Sequence, residues 1–136
     1  MPIMTWDSSL DIGVDKMNDD HKEILDCMNR IYDAHRAGQT GTVITMLVSQ
    51  LGQICARHFA IEERYMKSIG FPGFEDHKTL HNKLLAKFSE HAAVIRGAGG
   101  VCNDAFFGFL KFWLASHIKG IDIQYARHAK AIAKAS

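Results

Sequence analysis

Two pairs of metal-binding residue types are spaced four positions apart in the sequence. His58 and Glu62 form one pair, and His77 and His81 form the other. Residues four apart lie on one face of an α-helix, about one turn from each other. Each pair can therefore present two ligands to one centre, provided that both segments are helical and face a shared interior.

Three further residues of the same types, His21, His117 and Asp122, lie in other segments. Imidazoles with carboxylates suit iron, zinc, copper or nickel, whereas magnesium and calcium prefer oxygen ligands. Five histidine nitrogens, two bridging carboxylates and one bridging oxide or hydroxide would fill eleven of the twelve positions around two octahedral ions. A structural zinc site needs only four ligands. The set therefore predicts a reactive metal pair with one open position for a small molecule.

Long amphipathic segments separated by glycine-rich breaks predict an all-α fold. We expect Asp19 or Asp20 to cap the first helix. The expected order is an N-terminal arm over residues 1–17 and helices over about 18–37, 42–68, 74–96 and 101–133. Short links between such helices favour a single domain over residues 1–136, an up-down-up-down four-helix bundle whose metal sites form from inward-facing side chains.

The spacing of His117 and Asp122 conflicts with a regular helix. Residues five apart lie about 140° apart around an α-helix, too far for both to face one site. Gly120, between them, is a poor helix former. We therefore predict a local distortion, such as a single wide turn of the kind that recurs at functional sites.

The order and spacing of these residues resemble the bacterial hemerythrin family. The resemblance runs from about Trp6 to Tyr125, so it covers nearly the whole chain. Any one H-x-x-x-E or H-x-x-x-H pair is common on helices, but all seven residues in order are specific. The motifs are Trp6, Asp19-Asp20-His21-Lys22, His58-Phe59-Ala60-Ile61-Glu62, Gly70-Phe71-Pro72, His77-x-x-x-His81, Trp113-Leu114-Ala115-Ser116-His117 and Asp122-x-x-Tyr125.

The resemblance implies two iron ions as the cofactor, bridged by Glu62, Asp122 and an oxide or hydroxide. One iron would be bound by His77, His81 and His117, and the other by His21 and His58. The iron with two histidines would carry the open position, where dioxygen would bind.

The resemblance also implies an apolar oxygen pocket. Leu114 and Ile118 would line it, and Phe59 and Trp113 are further candidates, although Phe59 also fits an ordinary core position. Hydrocarbon walls would exclude water from the bound oxygen and slow irreversible oxidation of the iron. We therefore expect Leu114→Ser to speed autoxidation.

The other polar residues near these motifs receive simpler interpretations. His35 and His91 lie too far along their helices to share the centre, and His128 faces away from Asp122 on a regular helix, so all three are predicted to be surface or core residues. Glu63 is expected to face solvent. Tyr125 either hydrogen-bonds near the site or only packs.

Composition limits the alternatives. The 136 residues carry a net charge of +1 and contain no run of five like charges, so we expect no nucleic-acid partner. No segment is apolar enough to predict membrane insertion, and the N-terminus does not resemble an export signal. Cys27, Cys55 and Cys102 lack a C-x-x-C pair, which indicates free thiols in a reducing cytoplasm. Cys55 is expected to be a small apolar residue rather than a ligand.

Reversible dioxygen binding for storage, transport or delivery is the favoured function, rather than catalysis. Ferritin-like di-iron bundles bind their metals with Glu-x-x-His pairs and further glutamates, and these pairs are absent from the expected ligand set. The expected set instead contains more neutral histidine nitrogens than carboxylate oxygens. Two alternatives stay open. The first is an oxygen or redox sensing module of a larger protein, and the second is a di-iron enzyme acting on peroxide, nitric oxide or ferrous iron. The protein partner, oligomeric state and oxygen affinity are not encoded in these patterns.

Overall fold

Four long helices form the bundle in the computed structural model, which describes residues 3–135. The first three are α1 (Asp15–Arg36), α2 (Thr42–Ser68) and α3 (Phe74–Gly97), and the fourth consists of α4 (Asp104–Ser116), a π-helical turn (His117–Asp122) and α5 (Ile123–Ala135). The described residues contain no strand, which confirms the predicted all-α four-helix bundle. Met1 and Pro2 of the expected arm, and Ser136, lie outside the described residues.

Two helices begin at residues other than those expected. Val14 occupies the N-cap position of α1, so the expectation that Asp19 or Asp20 caps this helix is wrong, because both lie inside it. The fourth bundle helix begins at Asp104 rather than near residue 101. There the Asn103 side chain caps the helix by accepting a hydrogen bond from the backbone N–H of Phe106 at 2.9 Å.

Two asparagines of α1 hold the N-terminal arm. Asn18 accepts a hydrogen bond from the Ile12 N–H at 3.1 Å, and Asn29 accepts one from the Ile3 N–H at 2.9 Å and donates one to the Met4 carbonyl at 2.9 Å. The two asparagines are eleven residues apart, about three helical turns, so they lie on one face of α1. The arm therefore runs along this helix and buries Leu10 in the core.

A close backbone contact joins the loops at one end of the bundle. The N–H of Gly41, before α2, donates a hydrogen bond to the carbonyl of Gly99, before α4, at 2.9 Å. A Cβ at Gly100 would lie 2.4 Å from the backbone of Gly41, so only glycine fits there. None of the described helices is both long and apolar enough to cross a membrane.

The predicted distortion between His117 and Asp122 is confirmed as a π-helical turn over those six residues. The N–H of Ile123 donates to the carbonyl of Ile118, five residues earlier. The wider turn brings residues five apart onto one face, and both His117 and Asp122 are buried. A Cβ on Gly120 would meet no atom within 4 Å, so the turn leaves room there for a side chain.

Candidate metal centre

The bundle brings all seven predicted ligand residues to its interior. α1 contributes His21, α2 contributes His58 and Glu62, α3 contributes His77 and His81, and the π-turn contributes His117 and Asp122. Each is at most 7% exposed. Their ligand atoms form two groups, each with all its atoms within 4.8 Å of one another, and the groups share Glu62 and Asp122.

The first group contains three histidines. His77 Nε2 lies 3.2 Å from His117 Nε2 and 3.0 Å from Asp122 Oδ1, and His117 Nε2 lies 2.9 Å from the same oxygen. His81 Nε2 lies 2.9 Å from Glu62 Oε1. Ligands about 2.1 Å from one ion and at right angles to each other would be roughly 3 Å apart. These separations therefore suit a single ion surrounded by the group.

The second group contains two histidines and the other oxygen of each carboxylate. His21 Nε2 lies 3.0 Å from Asp122 Oδ2, and His58 Nε2 lies 3.3 Å from Glu62 Oε2. Each carboxylate thus directs one oxygen to the three-histidine group and the other to the two-histidine group. This is the arrangement that a carboxylate bridging two metal ions requires.

Buried atoms without partners test whether metal ions fit this site. The Nε2 atoms of His21, His58 and His81, one oxygen of Glu62 and both oxygens of Asp122 have no hydrogen-bond partner among residues 3–135. Buried polar atoms are normally satisfied. Two ions placed between these atoms would satisfy them, and the nitrogen-rich donor set suits iron rather than calcium or magnesium. The residues therefore fit a pair of transition-metal ions.

Protons partly neutralise the cluster when no metal is bound. Burial lowers the pKa of His21, but the adjacent Asp122 and Glu62 outweigh burial and raise it to about 9. The pKa of His58 is also raised, because Glu62 outweighs the effect of burial. Burial opposes ionisation of Glu62 and Asp122, yet their histidine neighbours hold the pKa of both carboxyls below its usual range. Metal ions would compete with these protons.

Two further carboxylates orient ligand histidines through the ring nitrogen that does not face the metal site. Asp20 Oδ2 lies 2.9 Å from His58 Nδ1, and Glu63 Oε2 lies 3.0 Å from His81 Nδ1. A carboxylate accepts the Nδ1 proton and leaves the Nε2 lone pair free for a metal. The expectation that Glu63 faces solvent is wrong, because α3 packs beside α2 and brings His81 within reach. No local sequence pattern indicates either contact, since the partners are 38 and 18 residues apart.

Tyr125 hydrogen-bonds at the site as well as packing there. Its hydroxyl donates to Glu62 Oε2 at 2.6 Å, and its side chain is fully buried. Burial and the nearby Glu62 raise the pKa of Tyr125, so the hydroxyl stays protonated. It supplies a fixed donor to one of the two shared carboxylates.

A narrow cavity of about 10 Å³ adjoins the two-histidine group. Its lining includes all four predicted pocket residues, Phe59, Trp113, Leu114 and Ile118, and also Ile24 of α1, which the sequence patterns did not indicate. The wall also includes both histidines of the two-histidine group, His21 and His58, together with His117 and the shared Asp122. The cavity thus lies on the side of the centre where an open metal position was expected.

The remaining histidines lie outside both groups. His35 packs against Phe107 with ring centres 5.2 Å apart, and His91 packs against Phe109 at 4.9 Å. His128 Nε2 lies 3.1 Å from the carbonyl of Ile69. All three are partly buried structural residues. The three cysteines are buried free thiols, and none belongs to either ligand group.

Comparison with known proteins agrees with this geometry. The hemerythrin HHE cation-binding domain matches residues 12–129. The chain belongs to the hemerythrin family. Among hemerythrin relatives, it is 29% identical to the bacteriohemerythrin of Stenotrophomonas maltophilia (strain R551-3), over 96% of this chain and 84% of that protein. It is 30% identical to the myohemerythrin of Riftia pachyptila, over 88% of each chain.

Solved hemerythrin structures have the same fold. Wild-type hemerythrin superposes with a TM-score of 0.81 at 27% identity, covering 93% of this chain and 97% of that one. A leucine-to-alanine variant of hemerythrin gives a TM-score of 0.83 at 26% identity, covering 95% and 98%. The hemerythrin bundle therefore extends over nearly the whole chain.

Proposed function

We propose that this protein binds dioxygen reversibly at a non-haem di-iron centre. The observation that carries the proposal is the division of Glu62 and Asp122, each with one oxygen in either ligand group. We assign His77, His81 and His117 to one iron, and His21 and His58 to the other. Ferrous ions held there would supply the electrons that dioxygen binding needs.

The surrounding residues favour binding over turnover. Leu114 and Ile118 are buried and present hydrocarbon to the cavity beside the two-histidine group. They exclude water and solvent protons from that side. The Nδ1 protons of His58 and His81 are held by Asp20 and Glu63, which fixes both rings. We assign the cavity lining no acid or base beyond the ligands, as expected for storage, transport or delivery rather than catalysis.

The test is an oxygenation cycle on protein loaded anaerobically with ferrous iron. We expect two irons per chain and a visible absorption band that appears with oxygen and disappears when oxygen is removed. His58→Ala should abolish the cycle, whereas His35→Ala, which alters a histidine outside the centre, should leave it intact. One-way oxidation, or steady consumption of peroxide or nitric oxide, would contradict reversible binding and favour a redox sensor or an enzyme.

A further inference from the structure

A cleft of about 270 Å³ lies between α1 and α2, on the outer side of the His58 ring. We call it the α1–α2 cleft, and its lining residues are Lys16, Asp20, Glu23, Ile54, Arg57, His58 and Ile61. His58 also belongs to the wall of the narrow cavity beside the two-histidine group. The His58 ring therefore separates the α1–α2 cleft from the metal centre.

The exposure of the lining residues falls from one end of the cleft to the other. The side chains of Lys16 and Arg57 are 64% and 65% exposed, and that of Glu23 is 49% exposed. The side chains of Asp20 and His58 are only 11% and 3% exposed. The cleft thus opens to solvent at the first three residues and ends at a buried ligand of the metal centre.

The metal centre itself is closed to solvent, because each of its seven ligands is at most 7% exposed. A metal ion must therefore pass between side chains to reach it. An ion in apolar surroundings loses its hydration at a high cost in free energy, so a route for ions needs polar atoms that replace water. The side chains of Leu114 and Ile118 offer none, whereas the α1–α2 cleft contains two carboxylates.

These carboxylates connect the mouth of the cleft to the metal centre. Asp20 Oδ1 lies 2.9 Å from Lys16 Nζ, and Asp20 Oδ2 lies 2.9 Å from His58 Nδ1. Glu23 is three residues further along α1, on the same helical face, and its Oε1 lies 3.2 Å from Arg57 Nη2. Nε2 of the buried His58 has no hydrogen-bond partner among residues 3–135. Glu23, Asp20 and His58 therefore form a series of possible metal ligands from solvent to the centre.

The charges around the cleft favour the approach of cations. Residues 15–26 of α1 have an excess of acidic side chains, although the whole chain has a net charge of +1: Asp15, Asp19, Asp20, Glu23 and Asp26 against Lys16 and Lys22. A local excess of one charge raises the concentration of oppositely charged ions near the surface. The Arg57–Glu23 ion pair is exposed, and exposed pairs contribute little to stability, so a divalent cation can displace Arg57 from Glu23.

We propose that the α1–α2 cleft is the entrance through which metal ions reach the centre, with Glu23 and Asp20 binding the divalent cation first and His58 receiving it from them. The inference rests on the proposed di-iron centre, but it does not depend on dioxygen binding. Glu23 contacts the ion only in transit. Substitutions of Glu23 should therefore change the rate of metal uptake and leave the number of bound ions unchanged.

Cobalt(II) uptake by the metal-free protein, followed in a stopped-flow instrument by visible absorption at low ionic strength, tests the role of charge. We expect two cobalt ions per chain in every variant. Glu23→Gln should lower the uptake rate by roughly fivefold, because it removes a negative charge from the path of a divalent cation. Arg57→Gln should raise the rate by a similar factor, since it frees Glu23. Glu90→Gln is the matched control, because it removes an exposed carboxylate that pairs with Lys87 at 3.6 Å on α3.

A bulky substitution tests the path itself. Ile54→Trp should fill the cleft and lower the rates of cobalt uptake and of cobalt release to a chelator together by roughly tenfold, the effect of an added barrier of about 1.4 kcal/mol. Leu47→Trp is the matched control, because Leu47 lies seven residues earlier on the same face of α2, is also partly buried and does not line the cleft. It should keep both rates. If Ile54→Trp does not fold, the half-exposed Glu23 still provides the test by charge.

The possible results separate the entrance from the proposed function. Uptake rates of Glu23→Gln and Arg57→Gln equal to that of Glu90→Gln would overturn the entrance, even if two cobalt ions bind. Failure of the unsubstituted protein to bind two cobalt ions would reject the metal centre itself. Slow uptake in Glu23→Gln, in a protein whose iron form does not bind oxygen reversibly, would support the entrance while rejecting the proposed function.

Discussion

Replacing Tyr125 by phenylalanine tests how much the tyrosine hydroxyl stabilises the metal centre. The substitution removes one hydrogen-bond donor from a fully buried carboxylate and changes nothing else. The hydroxyl donates to Glu62 Oε2 at 2.6 Å, and Glu62 is 0% exposed. The ring itself, which packs edge-on against Tyr65 at 5.7 Å, is retained. We expect the substituted protein to keep its fold and to become less stable.

The magnitude follows from the charge on the acceptor. Burial opposes ionisation of Glu62, but the adjacent histidines keep its pKa low, so the hydrogen bond is charge-assisted. Such bonds contribute about 1.5–3 kcal/mol to the free energy of unfolding. We expect a loss of about 2 kcal/mol in the metal-free protein. At about 2.1 cal/mol/K of unfolding entropy per residue, this lowers the melting temperature by roughly 7 °C.

Urea unfolding of the metal-free protein, followed by circular dichroism, measures this loss. Tyr32→Phe is the matched control, since Tyr32 packs against Phe107 at 5.1 Å, away from the metal centre. Both variants should show the same dependence of unfolding free energy on urea, which indicates that the compactness of the unfolded state has not changed. If Tyr125→Phe lies within about 0.5 kcal/mol of Tyr32→Phe, the hydroxyl does not stabilise the buried carboxylate, and our reasoning is refuted.

Three other predictions address the loops, the pocket and the protons. Gly100→Ala should lower the unfolding free energy by about 2 kcal/mol or more relative to Gly99→Ala. Both glycines have positive φ, but only a Cβ at Gly100 would collide with the backbone of Gly41. Equal losses of the two variants in urea unfolding would contradict this. Leu114→Ser should speed autoxidation of the oxygenated protein, followed by its visible spectrum, because a hydroxyl in the pocket admits water; an unchanged rate would count against a protective role for Leu114. The pKa of His21 is raised from its ordinary value of 6.5 to about 9 in the folded protein, so protonation of this ring stabilises the metal-free fold. This stabilisation is fully present below pH 6.5 and is lost as the pH rises through 9. A metal ion binds only the neutral ring of His21, so metal affinity should fall as the pH drops below 9, and metal loading should release protons. Titration calorimetry in two buffers measures the number of protons released. A metal affinity that does not change with pH would contradict this prediction.

The sequence by itself determined the helices and the set of residues that face the centre. Helical periodicity is local, so a spacing of four between His58 and Glu62 fixes a shared face whatever packs against it. The same reasoning exposed the spacing of five between His117 and Asp122 and predicted the wide turn that the structure contains. Local geometry was sufficient for both conclusions.

Only the tertiary structure decided how neighbouring helices complete the centre. Periodicity states which way a side chain points, but it does not state what meets it there. Glu63 points about 100° away from Glu62 along α2, and it was expected in solvent; the approach of α3 turns it into the partner of His81. Asp20 acquires its role from His58, which is 38 residues away. These contacts depend on the offset between packed helices, which no spacing within one helix encodes.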